Sequence, residues 1–280
     1  PSEVKAPHGA ARNDEYYWLR DDKREDPEML AYLNAENAYT DAVLKPLEAL
    51  EETLYNELVG RVKQDDSSVP YFEDGYWYYT RFETGKEYPI HARRKGSMEA
   101  PEEIMFDVNA MAAGKNFFQI GNFEVSPDGR LAAFAEDAVG RRQYTLRVKD
   151  LATGEILPDA ITGASAGLMW ADDNRTLYYV ENDPTTLLTK RVKAHVLGTP
   201  ASADRLVYEE KDETFYMGIG RTRSDEYLCI GVQSTVSSEM RCTPAASPGV
   251  FTVLAPRERD VEYQADHLGD RWVIRTNADG

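Results

Sequence analysis

The sequence predicts a mainly β chain, built of repeated four-stranded units behind a short helical segment. Two observations carry this. Apolar residues change period near residue 66, from the three-and-four spacing of a helix to short β-rich runs. Aspartate-led turns then recur at Asp74, Asp128, Asp173, Asp225 and Asp270, roughly 45–54 residues apart, each leading into such a run.

Residues 1–65 form the helical segment. Asp26-Pro27 has the form of an N-cap with proline at the first helical position, where its missing N–H costs nothing. Met29, Tyr32, Tyr39, Val43, Leu47, Leu50, Leu54 and Leu58 then make a stripe that only Glu36 interrupts. Pro46 divides it into two helices, and Gly60 is a stop. A stripe of this kind needs a surface to pack on. Upstream, Tyr16-Tyr17-Trp18-Leu19 is an aromatic cluster expected to pack as well.

Residues 66–280 carry the repeats, at about 68–122, 123–167, 168–217, 218–264 and the start of another at 265–280. Asp74-Gly75 precedes Tyr76-Trp77-Tyr78-Tyr79, and Asp128-Gly129 precedes Leu131-Ala132-Ala133-Phe134. Third strands are expected at 88–94, 143–148, 190–196 and 238–242, and fourth strands at 103–108, 155–161, 205–208 and 250–254. Four strands repeating every 40–50 residues or so is the signature of a β-propeller. A β-sandwich with accidental spacing is the competing reading. The fold class is therefore a partial propeller of about four to five blades after a helical segment. Because an unclosed ring leaves bare strand edges, the chain is expected to be the N-terminal part of a larger protein.

Composition narrows the partners. A net charge of −17 over 280 residues disfavours general nucleic-acid binding, which needs a basic surface, and favours cationic partners through long-range steering. No apolar run approaches the ~20 residues that span a bilayer. Cys229 and Cys242 lack a C-x-x-C spacing and are read as two unpaired thiols.

Gly163-Ala164-Ser165-Ala166-Gly167 matches the G-x-S-x-G nucleophile elbow in letters. That elbow requires a strand-to-helix turn, and here a turn and another strand follow, so Ser165 is read as part of an interblade connection. His8, His91, His195 and His267 lack ligand-spaced partners and are read as structural; no metal or cofactor site is expected. Asp21, Asp22, Glu25 and Asp26 are read as a solvated helix start rather than a calcium site. No catalytic residue is assigned. Arg141-Arg142, between second and third strands, is either a solvated hairpin tip or an ion-pairing contact with a neighbouring domain.

Several strings together resemble a known family. Asp14-Glu15-Tyr16-Tyr17-Trp18-Leu19-Arg20-Asp21-Asp22, Tyr32-Leu33-Asn34-Ala35-Glu36-Asn37-Ala38-Tyr39, Asp65-Asp66-Ser67-Ser68-Val69-Pro70-Tyr71, Tyr76-Trp77-Tyr78-Tyr79-Thr80-Arg81, Ser126-Pro127-Asp128-Gly129, Arg141-Arg142-Gln143-Tyr144 and Thr185-Thr186-Leu187-Leu188 are similar to the N-terminal portion of oligopeptidase B (protease II) enzymes. These are serine peptidases of the prolyl oligopeptidase family. The resemblance implies a seven-bladed propeller joined to an α/β-hydrolase domain, and cleavage of short peptides after lysine or arginine by a serine–aspartate–histidine triad. It implies no catalytic residue here, since the triad and the acidic specificity pocket lie in the C-terminal domain. The propeller is expected to gate access, the helical stripe to dock on the hydrolase domain, and Arg141-Arg142 to face it. The partners implied are that domain and short basic peptides, and the family is usually cytoplasmic, with a periplasmic alternative if a leader preceded Pro1. Two other functions compete: a stand-alone propeller that binds peptides or proteins, and a self-contained hydrolase using Ser165.

Overall fold

A computed structural model describes residues 2–279. Pro1 and Gly280, to which the readings of a removed leader and a cut fifth repeat attach, lie outside the described residues. The chain forms two compact units, one ending at Lys63 and the other starting at Gln64.

The first unit opens on a hairpin that the sequence reading missed, β1 (Ser2–Lys5) against β2 (Ala11–Asp14). After a 3-10 turn at Tyr17–Leu19, Trp18 sits edge-on to Tyr32, with ring centroids 5.3 Å apart. Asp21 accepts hydrogen bonds from the backbone N–H groups of Asp26, Glu25 and Lys23, which hold its carboxyl below the usual range. The acidic run is thus a folded turn that leads into the cap. Asp26 accepts from the N–H groups of Glu28 and Met29 at the head of α1 (Pro27–Leu44). A 3-10 turn at Lys45–Leu47, centred on Pro46, separates α1 from α2 (Glu48–Gly60). The apolar stripe stays open to solvent: Tyr39, Val43, Leu47, Leu50, Leu54 and Leu58 are all exposed, and Met29 alone is buried among the described helical residues of this unit.

The second unit is all but entirely β. Its first blade is β3 (Tyr71–Glu73), β4 (Tyr76–Arg81), β5 (Ile90–Lys95) and β6 (Glu102–Asp107), antiparallel in chain order. A short helix α3 (Val108–Ala112), capped by Asp107, leads out of it. Then come β7 (Gln119–Val125), β8 (Leu131–Asp137), β9 (Tyr144–Asp150), β10 (Ile156–Trp170), β11 (Thr176–Asn182), β12 (Thr189–Val196) and β13 (Arg205–Glu209), which hydrogen-bond as one seven-stranded sheet. The fourth blade is β14 (Tyr216–Arg221), β15 (Tyr227–Gln233), β16 (Ser238–Pro244) and β17 (Thr252–Ala255), followed by the hairpin β18 (Tyr263–Leu268) and β19 (Arg271–Thr276). This is a partial β-propeller.

Each aspartate turn joins the first and second strands of a blade. At Asp74-Gly75 the register closes Glu73 opposite Tyr76, and the two turn residues take φ of 46° and 83°. Such a two-residue hairpin needs positive φ at both positions, which Asp tolerates and Gly takes freely.

The seven-stranded sheet is two blades fused through β10. The expected strand ended near Ile161, with Gly163–Gly167 as a connection. Instead β10 runs for 15 residues, pairing with β9 through its first part and with β11 through its last, with Ala164 bonded to both. The small side chains of the Gly-Ala-Ser-Ala-Gly run let the chain shift register without leaving the sheet, and Gly163 takes φ of 71° at the shift.

Strand alternation assigns each face of a blade to a different neighbour. Ala132 and Phe134 of β8 pack with Tyr78 and Phe106 of the first blade, while Ala133 and Ala135 pack with Leu177 and Tyr179 of the third. On β11, Tyr178 and Val180 turn the other way, onto Leu228 and Ile230 of the fourth blade. The core is therefore a series of layers between successive sheets.

The cysteines require a correction. Cys229 and Cys242 are not free thiols; they form a disulfide across β15 and β16, with Cα atoms 4.2 Å apart. The hairpin pairs Gln233 with Ser238, and counting outward along both strands brings Cys229 opposite Cys242. Register does here what a C-x-x-C spacing does in a loop.

Candidate functional site: an acidic axial cavity

The innermost strands β3, β7 and β14, with the end of β10, surround a cavity of about 930 Å³. Its wall carries Glu73, Asp74, Glu124 and Asp225, against Arg221 and Arg223. The turns between first and second strands lock together around it. Asp128 N–H donates to Asn174 Oδ1 (2.9 Å), Arg221 reaches Asp172 Oδ1 (2.5 Å), and Ser224 Oγ meets His267 Nδ1 (2.9 Å). Deeper in, Trp170 Nε1 donates to the carbonyl of Glu124 at 2.9 Å, and buried Arg93 donates to the carbonyl of Gly129 at 2.7 Å.

The wall crowds its carboxylates. Enclosure pushes the Glu124 carboxyl up to about 7; the charge of Glu73 adds to the rise, while the Asn122 side chain and Arg221 oppose it. Glu73 is raised by burial, then by Asp74 and Asp225. Asp225 is raised by burial and by Asp74 and Asp172, against Arg221. Tyr71 is pushed up to about 12, by burial first and then by Glu73, its ring stacked on Tyr78. Glu73, Asp74, Glu124 and Asp225 nonetheless remain exposed to solvent along the cavity wall, within reach of an entering ligand. A carbon-13 titration of the Glu124 carboxyl is expected to show a midpoint near 7, falling in Glu73→Gln. A midpoint in the usual glutamate range in both proteins would refute the crowding.

The other candidates fall elsewhere. Ser165 lies inside β10, where its Oγ accepts from the N–H of Gly167 at 3.1 Å, and no helix follows. His195 and His267 are engaged by Asp159 and Asp204, and by Ser224, respectively, so the elbow motif assembles no triad. His91 bonds Thr80 Oγ1, and burial lowers its pKa. Arg141 and Arg142 form the tip of the β8–β9 hairpin. Asp137 holds that tip by accepting from the N–H groups of Val139, Gly140 and Arg142, each at 2.8 Å. Among the described residues neither guanidinium enters an ion pair. In the sequence Asp74 and Asp225 read only as turn formers, and no motif marks Glu73 or Glu124. The signal available was the acidic residue at or next to the same turn in successive repeats.

A profile of the prolyl oligopeptidase N-terminal β-propeller domain matches residues 1–280. The chain belongs to the prolyl oligopeptidase family. It is 68% identical to the dipeptidyl aminopeptidase BI of Pseudoxanthomonas mexicana, over 100% of this chain and 41% of that protein. It is 30% identical to Protease 2 of Moraxella lacunata, over 96% of this chain and 40% of the relative. Among solved structures, oligopeptidase B from Leishmania major superposes with a TM-score of 0.93 at 32% identity, over 99% of this chain and 40% of that one. The chain thus spans about two-fifths of the length of the relatives it matches, and in this prolyl oligopeptidase-family chain the propeller motif and the helical segment fall within the matched part.

Proposed function

We propose that this chain is the access-controlling part of a serine oligopeptidase that acts on short cationic peptides. The propeller admits flexible chains to an enclosed active site and keeps folded proteins out. The exposed stripe of α1 and α2 docks on an α/β-hydrolase domain, and Arg141-Arg142 pair with carboxylates on that domain. The observation that carries the substrate reading is the cavity wall of Glu73, Asp74, Glu124 and Asp225, which raises the local concentration of cations.

The test is kcat/KM of the complete peptidase on matched peptides with lysine, arginine or neutral residues at the cleaved position. Glu73→Gln/Asp225→Asn is expected to lower the value for cationic peptides about tenfold at low salt and to leave neutral peptides unchanged. Equal effects on both sets would sink the steering role. Reversing Arg141 and Arg142 to glutamate is expected to alter turnover while the unfolding midpoint stays put, and unaltered kinetics would defeat the contact.

The 68% identity to a protein named dipeptidyl aminopeptidase favours a second reading of the same site. There the cation recognised is the peptide's terminal ammonium, and dipeptides leave from the amino end. Acetylating that terminus abolishes cleavage under this reading and spares cleavage after an internal lysine under the first.

A further inference from the structure

The fourth blade has two unlike faces. Toward the third blade, Met217, Leu228, Ile230 and Val232 are buried in a filled apolar layer. The opposite face, set by the same alternation, carries Gly218 and Gly220 of β14, Cys229 and Gly231 of β15, and Met240 and Cys242 of β16. A Cβ added at Gly218, Gly220 or Gly231 would meet no heavy atom within 4 Å. Space is left where an interblade layer normally holds side chains. Gln264, Ala265 and Val273 of the β18–β19 hairpin stand across it, and the groove between the sheets measures about 540 Å³.

The disulfide lies on the floor of this groove, and its two halves are not equivalent. Cys229 lines the groove; Cys242 is not among the lining residues. Both residues are buried, at 3% and 6% exposure, and the groove is the cavity that Cys229 borders.

We propose that Cys229–Cys242 is a thiol-exchange site, opened by a small thiol that enters this groove and attacks Cys229. The incoming thiolate forms a new S–S bond to Cys229 Sγ as the protein disulfide breaks. The electron pair leaves on Cys242 Sγ, which takes up a proton. A second thiolate attacks the small-molecule sulfur of the mixed disulfide and releases Cys229, which is protonated in turn. Two small thiols are oxidised to their disulfide and the protein disulfide is reduced to two thiols, so electrons and protons balance. Reduction removes the covalent tie between the central strands of the blade and loosens the wall that faces β18.

The experiment uses protein purified without reductant and treated under native conditions with 2-mercaptoethanol, then quenched in acid and mapped by mass spectrometry. The expected early product carries the mercaptoethanol adduct on Cys229 and a free thiol at Cys242. In the single variants, Cys229 of Cys242→Ser is expected to react with 5,5′-dithiobis(2-nitrobenzoate) at least tenfold faster than Cys242 of Cys229→Ser. The wild-type trapping stands by itself if either variant misfolds. An adduct first on Cys242, equal labelling of both, exchange only at urea concentrations that unfold the blade, or free thiols in the unreduced protein would each overturn the proposal.

Discussion

Replacing His195 with leucine is expected to destabilise the propeller unit by about 3–5 kcal/mol, the cost of leaving two buried carboxyl groups without the partner they share. The ring is 1% exposed. Its Nδ1 lies 2.7 Å from Asp204 Oδ1 and its Nε2 lies 3.1 Å from Asp159 Oδ1, and both carboxylates are buried. Each ring nitrogen thus has a buried carboxyl group within hydrogen-bond distance, one on either side of the imidazole. Asp159 comes from β10 where it completes the second blade, His195 from β12 and Asp204 from the approach to β13, so the cluster bolts the outer part of one blade to the next. Leucine fills the volume but supplies no donor. It leaves Asp159 with the N–H of Gly198 and Asp204 with the hydroxyl of Tyr179, at 2.6 and 2.8 Å. That hydroxyl is itself held protonated by burial and by its bond to Asp204. Tyr179→Phe, which removes one hydrogen bond and no charge, is expected to cost only about 1 kcal/mol. Urea unfolding of the three proteins at pH 7 separates the cases. A loss below about 1 kcal/mol in His195→Leu would show that this cluster does not hold the two blades together.

What the sequence made legible follows from how local each feature is. The aspartate turns and the aromatic runs after them could be read, because turn chemistry and strand alternation act within about ten residues. The N-cap at Asp26 and the break at Pro46 were local in the same sense. The fusion of two blades through β10 was hidden, because Gly163–Gly167 has the composition of a linker and only tertiary pairing keeps it in a sheet. The polar hairpin Ser2–Lys5 with Ala11–Asp14 offered one large apolar residue, Val4, and hence no pattern. The disulfide needed the β15–β16 register, which depends on where the intervening turn begins. The axial carboxylates were the least legible. A turn aspartate looks the same whether it faces solvent or converges with its counterparts from other repeats, and convergence is a property of the ring.

The joint between the third and fourth blades yields the second large effect, with a pH dependence that changes sign. Arg257, just past β17, reaches Glu210 Oε2 at 2.6 Å and Glu239 Oε1 at 3.5 Å, with its guanidinium 4.0 Å from the centre of the Phe215 ring. Both glutamates are buried, at 8% and 6% exposure. Burial alone would raise their pKa values. The bonds from Arg257 outweigh it, aided at Glu210 by the N–H of Asp212 and the Tyr208 hydroxyl and at Glu239 by Arg241, so both carboxyls are held below the usual range. The native protein therefore binds fewer protons than the unfolded chain, and this joint adds stability above the ordinary glutamate value of 4.5 that is lost as pH falls through the lowered native value. Arg257→Met keeps the stem that packs on Phe215 and removes the charge. Glu239 retains Arg241, but Glu210 keeps only the Tyr208 hydroxyl and the N–H groups of Lys211 and Asp212 against its burial, so its carboxyl is expected to rise. The variant is expected to lose about 3 kcal/mol at pH 7 and to regain part of that loss between pH 7 and pH 5, where the wild type gains nothing. Adding Glu210→Gln to Arg257→Met should flatten that slope, because the group that titrates is gone. Urea midpoints of the three proteins at the two pH values decide the matter: parallel losses at pH 7 and pH 5 would mean that Arg257 acts through packing on Phe215 and not through the buried glutamates.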